Sequence, residues 1–243
     1  MVIYGVNPVR ETLRSTMMPV ERIILARGRR GRDIEGIVKR AAERNIPVTT
    51  EDKHEMTSLA GTKSHQGIIC IAADYPYADI DTIIKNDNHH LTGSVILILD
   101  GIEDPHNLGS IIRSAYCFGI NGIIIPQDRS VSVTPTVIKV SSGAAQHLPV
   151  ARVVNIARTI DYLKERGFWI FGSDAHGQSD LANLDYRGNV CLVMGSEEKG
   201  IRQLVRKKCD HFISLEMPGS FDSLNVSVAA GIMVYEISRI MRR

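Results

Sequence analysis

The stretch Leu99-Asp-Gly-Ile-Glu-Asp-Pro-His-Asn-Leu-Gly-Ser-Ile-Ile-Arg113-Ser-Ala decides the fold of this chain, because it joins a strand end, a polar turn and a helix start. The apolar run over residues 95–99 predicts a buried strand, which the Asp-Pro pair ends. Asn107 is predicted to cap the helix that follows. Ligands of open α/β sheets bind at the carboxyl edge of the strands, so this edge is the first candidate site. Its polar members are Glu103, His106, Asn107 and Arg113.

Strands and helices alternate from Gly93 onward, and the strands are nearly continuous apolar runs. This pattern predicts an α/β fold with a parallel sheet that is covered on both faces. The last predicted helix carries a broad apolar stripe, which fits either a core-facing or a dimer-facing helix. The predicted strands are residues 95–99, 122–125, 168–171, 190–194 and 211–215, and the predicted helices are residues 108–118, 135–142, 155–166, 202–209 and 224–242.

A smaller α/β unit is predicted over residues 1–74, where helical and strand patterns also alternate. Residues 75–92 mix Pro, Asp, Asn and His, a composition typical of an interdomain linker. The second, larger domain is therefore expected to span residues 93–243.

One basic segment stands out from a composition that is otherwise ordinary for a globular protein, with 44% hydrophobic and 23% charged residues and a net charge of +2. Guanidinium groups bind phosphate bidentately, and glycines let a loop follow a nucleic-acid backbone. A solvated mobile loop is the alternative interpretation. The segment carries Arg27, Arg29, Arg30 and Arg32, interleaved with glycine.

The four cysteines are far apart in the sequence and form no Cys-x-x-Cys pair. They are predicted to be reduced core thiols, and no metal site is expected. No apolar run approaches the roughly 18 residues that a membrane span needs. Asn7, Arg10 and Glu11 lie too early for a signal peptide, so we expect a cytoplasmic protein without a membrane partner.

Two further polar clusters lie near strand ends, at residues 194–200 and 223–227. The loop from Gly195 to Gly200 is predicted to press backbone amides against a ligand. Ser223 or Asn225 is predicted to cap the final helix. Taken singly, these residues also fit a turn, a cap and a solvated Glu197. The sequence after the first strand of this domain lacks a Gly-x-Gly-x-x-Gly turn, which argues against NAD-dependent chemistry.

Together the three clusters resemble motifs 1, 2 and 3 of the SpoU (TrmH-type) branch of the knotted SPOUT RNA methyltransferases. The start of the chain resembles the L30e-like N-terminal domain of bacterial large-subunit rRNA guanosine 2′-O-methyltransferases. Glu198-Lys199 departs from the Gly-acidic pair often seen in those enzymes, which bears on the substrate rather than on the cofactor. The matching residues are Asp104-Pro105-His106-Asn107-Leu-Gly109 with Arg113-Ser-Ala115, Met194-Gly195-Ser-Glu197-x-x-Gly200, Ser223-Leu224-Asn225-Val-Ser227-Val-Ala229, and Ile3-Tyr4-Gly5-Val6-Asn7-Pro8-Val9.

The resemblance implies a trefoil-knot (SPOUT) domain, a homodimer, and S-adenosylmethionine as the cofactor. It also implies that the L30e-like domain binds the RNA substrate, with the four loop arginines as our candidate contacts. The residues that match the catalytic group are Arg113, Asn107, Glu197, Ser223 and Asn225. The residues that match the cofactor site are Gly195, Leu215, Met217, Leu224 and Asn225.

The implied chemistry suits these residue types. A ribose 2′-hydroxyl is a poor nucleophile, so the enzyme must position it and take up its proton. A guanidinium normally stays protonated, so we favour Arg113 as a clamp on a substrate phosphate, with a direct role as base as the alternative. The leading hypothesis is 2′-O-methylation of a guanosine in 23S rRNA. The alternatives are a tRNA or another rRNA nucleotide as target, or a non-catalytic rRNA-binding ribosome-assembly protein.

Overall fold

The computed structural model describes residues 1–86, 91–174, 177, 179–180, 188–217, 219 and 223–242. The chain divides into two compact units. Unit 1 comprises Met1–Pro76 and Val133–His147, and unit 2 comprises Tyr77–Ser132 and Leu148–Arg243. The strands are β1 Val2–Tyr4, β2 Val20–Ala26, β3 Val48–Glu51, β4 Ile68–Ala72, β5 Val95–Asp100, β6 Gly122–Pro126, β7 Val150–Val153, β8 Phe168–Ser173, β9 Ser179–Asp180, β10 Asn189–Gly195 and β11 His211–Ser214. The α-helices are α1 Val6–Arg14, α2 Arg32–Glu43, α3 Lys53–Ala60, α4 Ile80–Lys85, α5 Pro105–Cys117, α6 Pro135–Val140, α7 Ile156–Lys164, α8 Gln203–Arg206 and α9 Val226–Met241.

Unit 1 is built on a four-stranded sheet of order β1-β4-β2-β3. β2 and β3 are parallel, whereas β4 runs antiparallel to both β1 and β2. Ile3, Ile23 and Met56 are completely buried in this unit. The strand β1 and the helix α3 were not predicted from the sequence, because β1 is short and α3 has little apolar periodicity.

Unit 2 is built on a seven-stranded sheet of order β7-β6-β5-β10-β8-β11-β9, in which every described strand pair is parallel. All six residues of β5 are buried, as expected for a parallel strand with helices on both faces. One face packs on residues of α4, α7 and α8, among them Ile83, Ile160 and Val205. α5 and α9 pack against each other, and α9 also contacts β10. The predicted α/β class and parallel sheet are confirmed.

The division into units differs from the predicted domain boundaries in two places. The helix α4 lies in the predicted linker, yet its Ile83 is completely buried in the core of unit 2. Asp87 to His90 of that linker lie outside the described residues. The segment 133–147 was predicted as part of the larger domain but packs within unit 1, where Ser15 Oγ donates to the Gln146 carbonyl at 2.7 Å and the Tyr75 hydroxyl to the Ala145 carbonyl at 3.0 Å. A short helix carries no periodic signal that tells which core it joins.

Candidate active site

The carboxyl edge of the unit 2 sheet gathers the polar clusters that the sequence singled out. β5 and β10 are adjacent, and their register pairs Asp100 with Gly195, so the two strands end level with each other. The loop to α5 leaves from the end of β5, and the loop to α8 leaves from the end of β10. Residues far apart in the sequence are therefore placed side by side.

The start of α5 corrects one prediction. Asp104, rather than Asn107, is the N-cap, and its Oδ1 accepts a hydrogen bond from the His106 backbone N–H at 2.8 Å. Pro105 occupies the first helical turn, where its missing N–H costs nothing. Because the cap lies three residues earlier than predicted, the side chain of Asn107 is available for the site.

Asn107, Glu197 and Asn225 form a closed network of hydrogen bonds. Asn225 Nδ2 donates to Asn107 Oδ1 at 3.0 Å and to Glu197 Oε1 at 2.7 Å. Asn107 Nδ2 also reaches Glu197 Oε1, at 3.4 Å. Each of the three motifs contributes one residue, so the network joins α5, the loop after β10 and the start of α9.

The same network secures the N-terminus of α9. Glu197 Oε1 accepts a third hydrogen bond from the Val226 backbone N–H at 3.0 Å, which places a carboxylate at the positive end of the helix. Asn225, one of the two residues predicted as the cap, is the N-cap, and its Oδ1 accepts from the Ser227 N–H at 3.0 Å and from Ser227 Oγ at 2.6 Å. Both side chains are therefore held from two directions, although both are exposed.

The loop after β10 is tightly closed. Ser196 and Gly200 exchange backbone hydrogen bonds of 3.2 and 2.9 Å. A Cβ at Gly195 would lie 2.1 Å from the Gly200 carbonyl carbon, so the loop closes only with glycine at position 195. Glu197 lies inside this loop, and the closure fixes where its carboxylate emerges.

A buried carboxylate paired with an exposed arginine, which the sequence reasoning missed, anchors the far end of that loop. Asp100 is 1% exposed and accepts hydrogen bonds from the Arg202 backbone N–H at 2.9 Å and from Arg202 Nε at 2.6 Å. A buried charge needs such pairing. An acidic residue that ends an otherwise apolar strand was the available signal.

A cavity of about 460 Å³ opens beside Glu197. Its volume and mixed lining suit a small ligand with an apolar ring system and a few polar groups. Six of the predicted site residues line it, which are Gly195, Glu197, Leu215, Met217, Ser223 and Leu224. The lining residues that were not predicted include Ser173, Asp174, Ile201, Arg206 and Met233. Pro218 and residues 220–222, between Met217 and Ser223, lie outside the described residues.

A second cavity, of about 240 Å³, adjoins the first. Glu103 and Asn107 line it, together with Glu198. Both cavities share Ser196, Glu197, Lys199 and Val226 in their linings. Glu197 of the network therefore borders both cavities, and Asn107 borders the smaller one.

Arg113 lies apart from this network along α5. It is exposed, six residues after Asn107. At 1.5 Å of rise per residue, this is about 9 Å along the helix axis and on a different side of the helix. The structure thus brings together Asn107, Glu197 and Asn225, places Ser223 in the lining of the larger cavity beside Glu197, and leaves Arg113 on the neighbouring surface.

The arginine loop of unit 1 is partly engaged within the protein. Arg29 is half-buried and pairs with Asp33 at 2.5 Å, and its Nε donates to the Gln66 carbonyl at 3.3 Å. Arg27 lies 3.5 Å from Asp52. Arg30 and Arg32 are exposed.

The prediction that all four cysteines are core thiols is correct for two of them. Cys70 and Cys191 are buried, and burial raises the pKa of the Cys70 thiol to about 12. Cys117 is exposed because it ends α5, and Cys209 is half-buried. Within the described ranges, no group of three metal-binding side chains comes together. None of the helices described is long and apolar enough to cross a membrane.

Comparisons with known proteins agree with this geometry. Residues 94–235 match the model of the SpoU rRNA Methylase family, and residues 2–78 match the model for RNA 2′-O ribose methyltransferase substrate binding. A relative in Staphylococcus aureus, named as a TrmH family tRNA/rRNA methyltransferase, is 44% identical over 238 residues, which are 98% of this chain and 95% of the relative. One in Staphylococcus epidermidis with the same name is 42% identical over the same shares of both chains.

Solved structures share the fold. The SpoU methyltransferase AviRb from Streptomyces viridochromogenes superposes with a TM-score of 0.83 at 24% identity, over 98% of this chain and 88% of that one. An rRNA methyltransferase from Sinorhizobium meliloti, solved with bound AdoMet, superposes with a TM-score of 0.81 at 21% identity, over 100% of this chain and 88% of that one. With its three motifs joined at one sheet edge and its family model matched over residues 94–235, this chain belongs to the SpoU rRNA methylase family.

Proposed function

We propose that this protein transfers a methyl group from S-adenosylmethionine to the ribose 2′-oxygen of a guanosine in 23S rRNA, in the cytoplasm. The observation that carries the proposal is the Asn107–Glu197–Asn225 network, which borders two adjoining cavities. One cavity suits the cofactor, and the other leaves room for the nucleotide that is modified.

The residues of the larger cavity fit S-adenosylmethionine. Leu215, Met217 and Leu224 offer apolar contact to an adenine ring, while Ser173 and Ser223 offer hydrogen bonds to ribose and amino-acid groups. AviRb has also been solved in complex with AdoMet. When bound, the cofactor supplies an activated methyl group, whose C–S bond breaks as the O–C bond forms, with the electron pair staying on sulfur.

The remaining task of the protein is to orient the 2′-hydroxyl and to promote the loss of its proton. Asn107 and Asn225 orient the ribose, and Glu197 holds both amides in place through its Oε1. Arg113, on the neighbouring surface of α5, clamps a substrate phosphate, which stabilises the negative charge that develops on the 2′-oxygen while its proton passes to solvent water. A direct role of Arg113 as the base is the second possibility for the same step.

RNA recognition is assigned to unit 1 and its loop of arginines. Arg27, Arg30 and Arg32 are exposed and offer guanidinium groups to phosphates. Arg29 contributes through its bonds to Asp33 and Gln66, which hold the loop in shape.

A homodimer is the proposed active form, and α9 offers a face for it. Its buried face includes Met233 and Ile237, while Val228, Ile232 and Tyr235 are 40–49% exposed on another face. Those three residues line a groove with Ser227, which donates to Asn225. A second copy on this groove would therefore adjoin the catalytic network.

A tRNA or a different rRNA nucleotide is the second candidate substrate, because the curated relatives are named for both RNA classes. A purely non-catalytic assembly role is disfavoured, since the three motif residues form an intact network. The test is to map 2′-O-methyl groups on rRNA and tRNA from cells with and without this protein. Loss of one methylated guanosine in 23S rRNA is expected. Loss confined to tRNA would establish the second candidate, and an unchanged map would contradict methyl transfer.

A further inference from the structure

The helices α1 and α2 of unit 1 enclose a groove whose rim is made of arginines. The groove has a volume of about 170 Å³ and is lined by Arg10, Leu13 and Arg14 from α1, and by Gly36, Ile37 and Arg40 from α2. Leu13 and Ile37 are each 2% exposed and form its floor. None of these residues lies in the 27–32 loop.

The arginine side chains keep most of their donors for a ligand. Each guanidinium has five N–H donors. The described contacts engage one guanidinium nitrogen of Arg10, which donates to Asn7 Oδ1 at 3.2 Å. They also engage one guanidinium nitrogen of Arg14, which donates to Glu11 Oε1 at 2.9 Å. Glu11 also contacts His147 Nε2 at 3.0 Å, so its charge is shared between two partners. The lining itself contains three arginines and no acidic residue.

Gly36 gives a second, independent observation. It lies in the interior of α2, where glycine is less favourable than alanine. A Cβ built at this position would meet nothing within 4 Å, so close packing within the protein does not explain the glycine. Gly36 lines the groove, so a side chain longer than that of alanine at this position would take up part of its volume.

We infer that the groove between α1 and α2 binds the phosphate backbone of the RNA substrate, as a second contact besides the 27–32 loop. This inference rests on the proposed function for the identity of the RNA. Guanidinium groups on both sides of a narrow groove suit a phosphate that enters between them. The 27–32 loop leads directly into α2, and Arg40 lies about 12 Å along the helix axis from Arg32. A short run of nucleotides in one strand spans both contacts.

The first test compares two triple variants of equal charge change. The groove variant is Arg10→Gln, Arg14→Gln and Arg40→Gln. The control is Arg22→Gln, Lys39→Gln and Lys63→Gln, which are exposed in unit 1 but outside the groove lining. Affinity for a labelled transcript of 23S rRNA is measured by fluorescence anisotropy at several salt concentrations, without cofactor. The groove variant should lose about two units of the slope of log K against log salt and bind about tenfold more weakly. The control should lose less than one unit.

The second test fills the groove without changing charge. Gly36→Gln should weaken RNA binding about fivefold, because a neutral side chain then occupies the groove, with a melting temperature no lower than that of the wild-type protein, because Gln favours the helix over Gly. Gly36→Ala is the matched control, which should raise the melting temperature by a few degrees and keep RNA affinity within about twofold. Equal slopes for the two triple variants, or unchanged affinity for Gly36→Gln, would overturn the inference. These binding measurements need no methyl transfer, so they test the groove independently of the reaction. A failure of the proposed reaction would be seen in a different experiment, in which the wild-type protein transfers no methyl group at saturating RNA.

Discussion

Removal of the Glu197 carboxylate tests the network in the most direct way. Its Oε1 accepts hydrogen bonds from Asn107, Asn225 and the Val226 N–H, so Glu197→Ala removes three contacts at once. In the free protein Glu197 is exposed, and water replaces much of what is lost. We therefore expect a loss of only about 1 kcal/mol in the free energy of unfolding, or a melting temperature lower by about 2–4 °C.

The effect on catalysis should be much larger. Bound RNA and cofactor exclude water, so each lost contact counts for about 1 kcal/mol, and kcat/KM should fall about 100-fold. Glu197→Gln keeps one carbonyl oxygen as acceptor and should lose only about tenfold. The assay is the transfer of labelled methyl to 23S rRNA, with cofactor affinity measured by calorimetry. Glu165→Ala, which removes an exposed carboxylate after α7, controls for net charge. A fall of less than about threefold in Glu197→Ala would refute the reasoning.

Three further predictions follow from the same structure. Arg113→Ala should abolish methyl transfer while leaving cofactor affinity unchanged in calorimetry, and Arg113→Lys should also transfer poorly, because a point charge does not reproduce the planar guanidinium. Loss of cofactor binding in proportion to activity would instead assign Arg113 to the cofactor site. If the proposed homodimer forms through α9, Ile232→Asp should make the protein a monomer in light scattering, since it buries a charge in the proposed interface, and an unchanged mass would exclude this face. At pH 8, iodoacetamide should modify exposed Cys117 within minutes but spare Cys70 in the folded protein, because the pKa of Cys70 is raised to about 12 and its reactive thiolate is scarce. The extent of modification at each cysteine is measured by mass spectrometry, and equal modification of Cys117 and Cys70 would show that Cys70 is not buried.

Five of the strands described in unit 2 could be predicted from the sequence because their cause is local. The other two were missed, since β7 Val150–Val153 is short and interrupted by Arg152, and β9 Ser179–Asp180 has only two residues. A parallel strand covered on both faces is an almost uninterrupted apolar run, as in Val95–Asp100 up to its last residue. Asn225 could be named as one of two candidates for the cap of α9 for a similar reason, since Asn is favoured immediately before a helical pattern. Asn107 misled the same reasoning, because Asp104 with Pro105 is an equally good cap and lies earlier.

The contacts between distant residues could not be derived from local patterns. The pairing of Asp100 with Arg202, and the junction of Asn107 with Asn225, depend on which strands are neighbours in the sheet. The order in which β10 lies between β5 and β8 is a property of the topology, not of any short segment. Resemblance to known motifs supplied the grouping of the three clusters, and the geometry then showed how Glu197 joins them.

The central claim is that the network around Glu197 serves methyl transfer to a ribose 2′-oxygen of 23S rRNA. The most direct measurement incubates the purified protein with labelled S-adenosylmethionine and 23S rRNA, and then identifies the labelled nucleoside by mass spectrometry after complete digestion. We predict label in 2′-O-methylguanosine, and its loss in the Glu197→Ala variant. Label on a nucleobase, or equal labelling by the wild-type protein and the variant, would contradict the account.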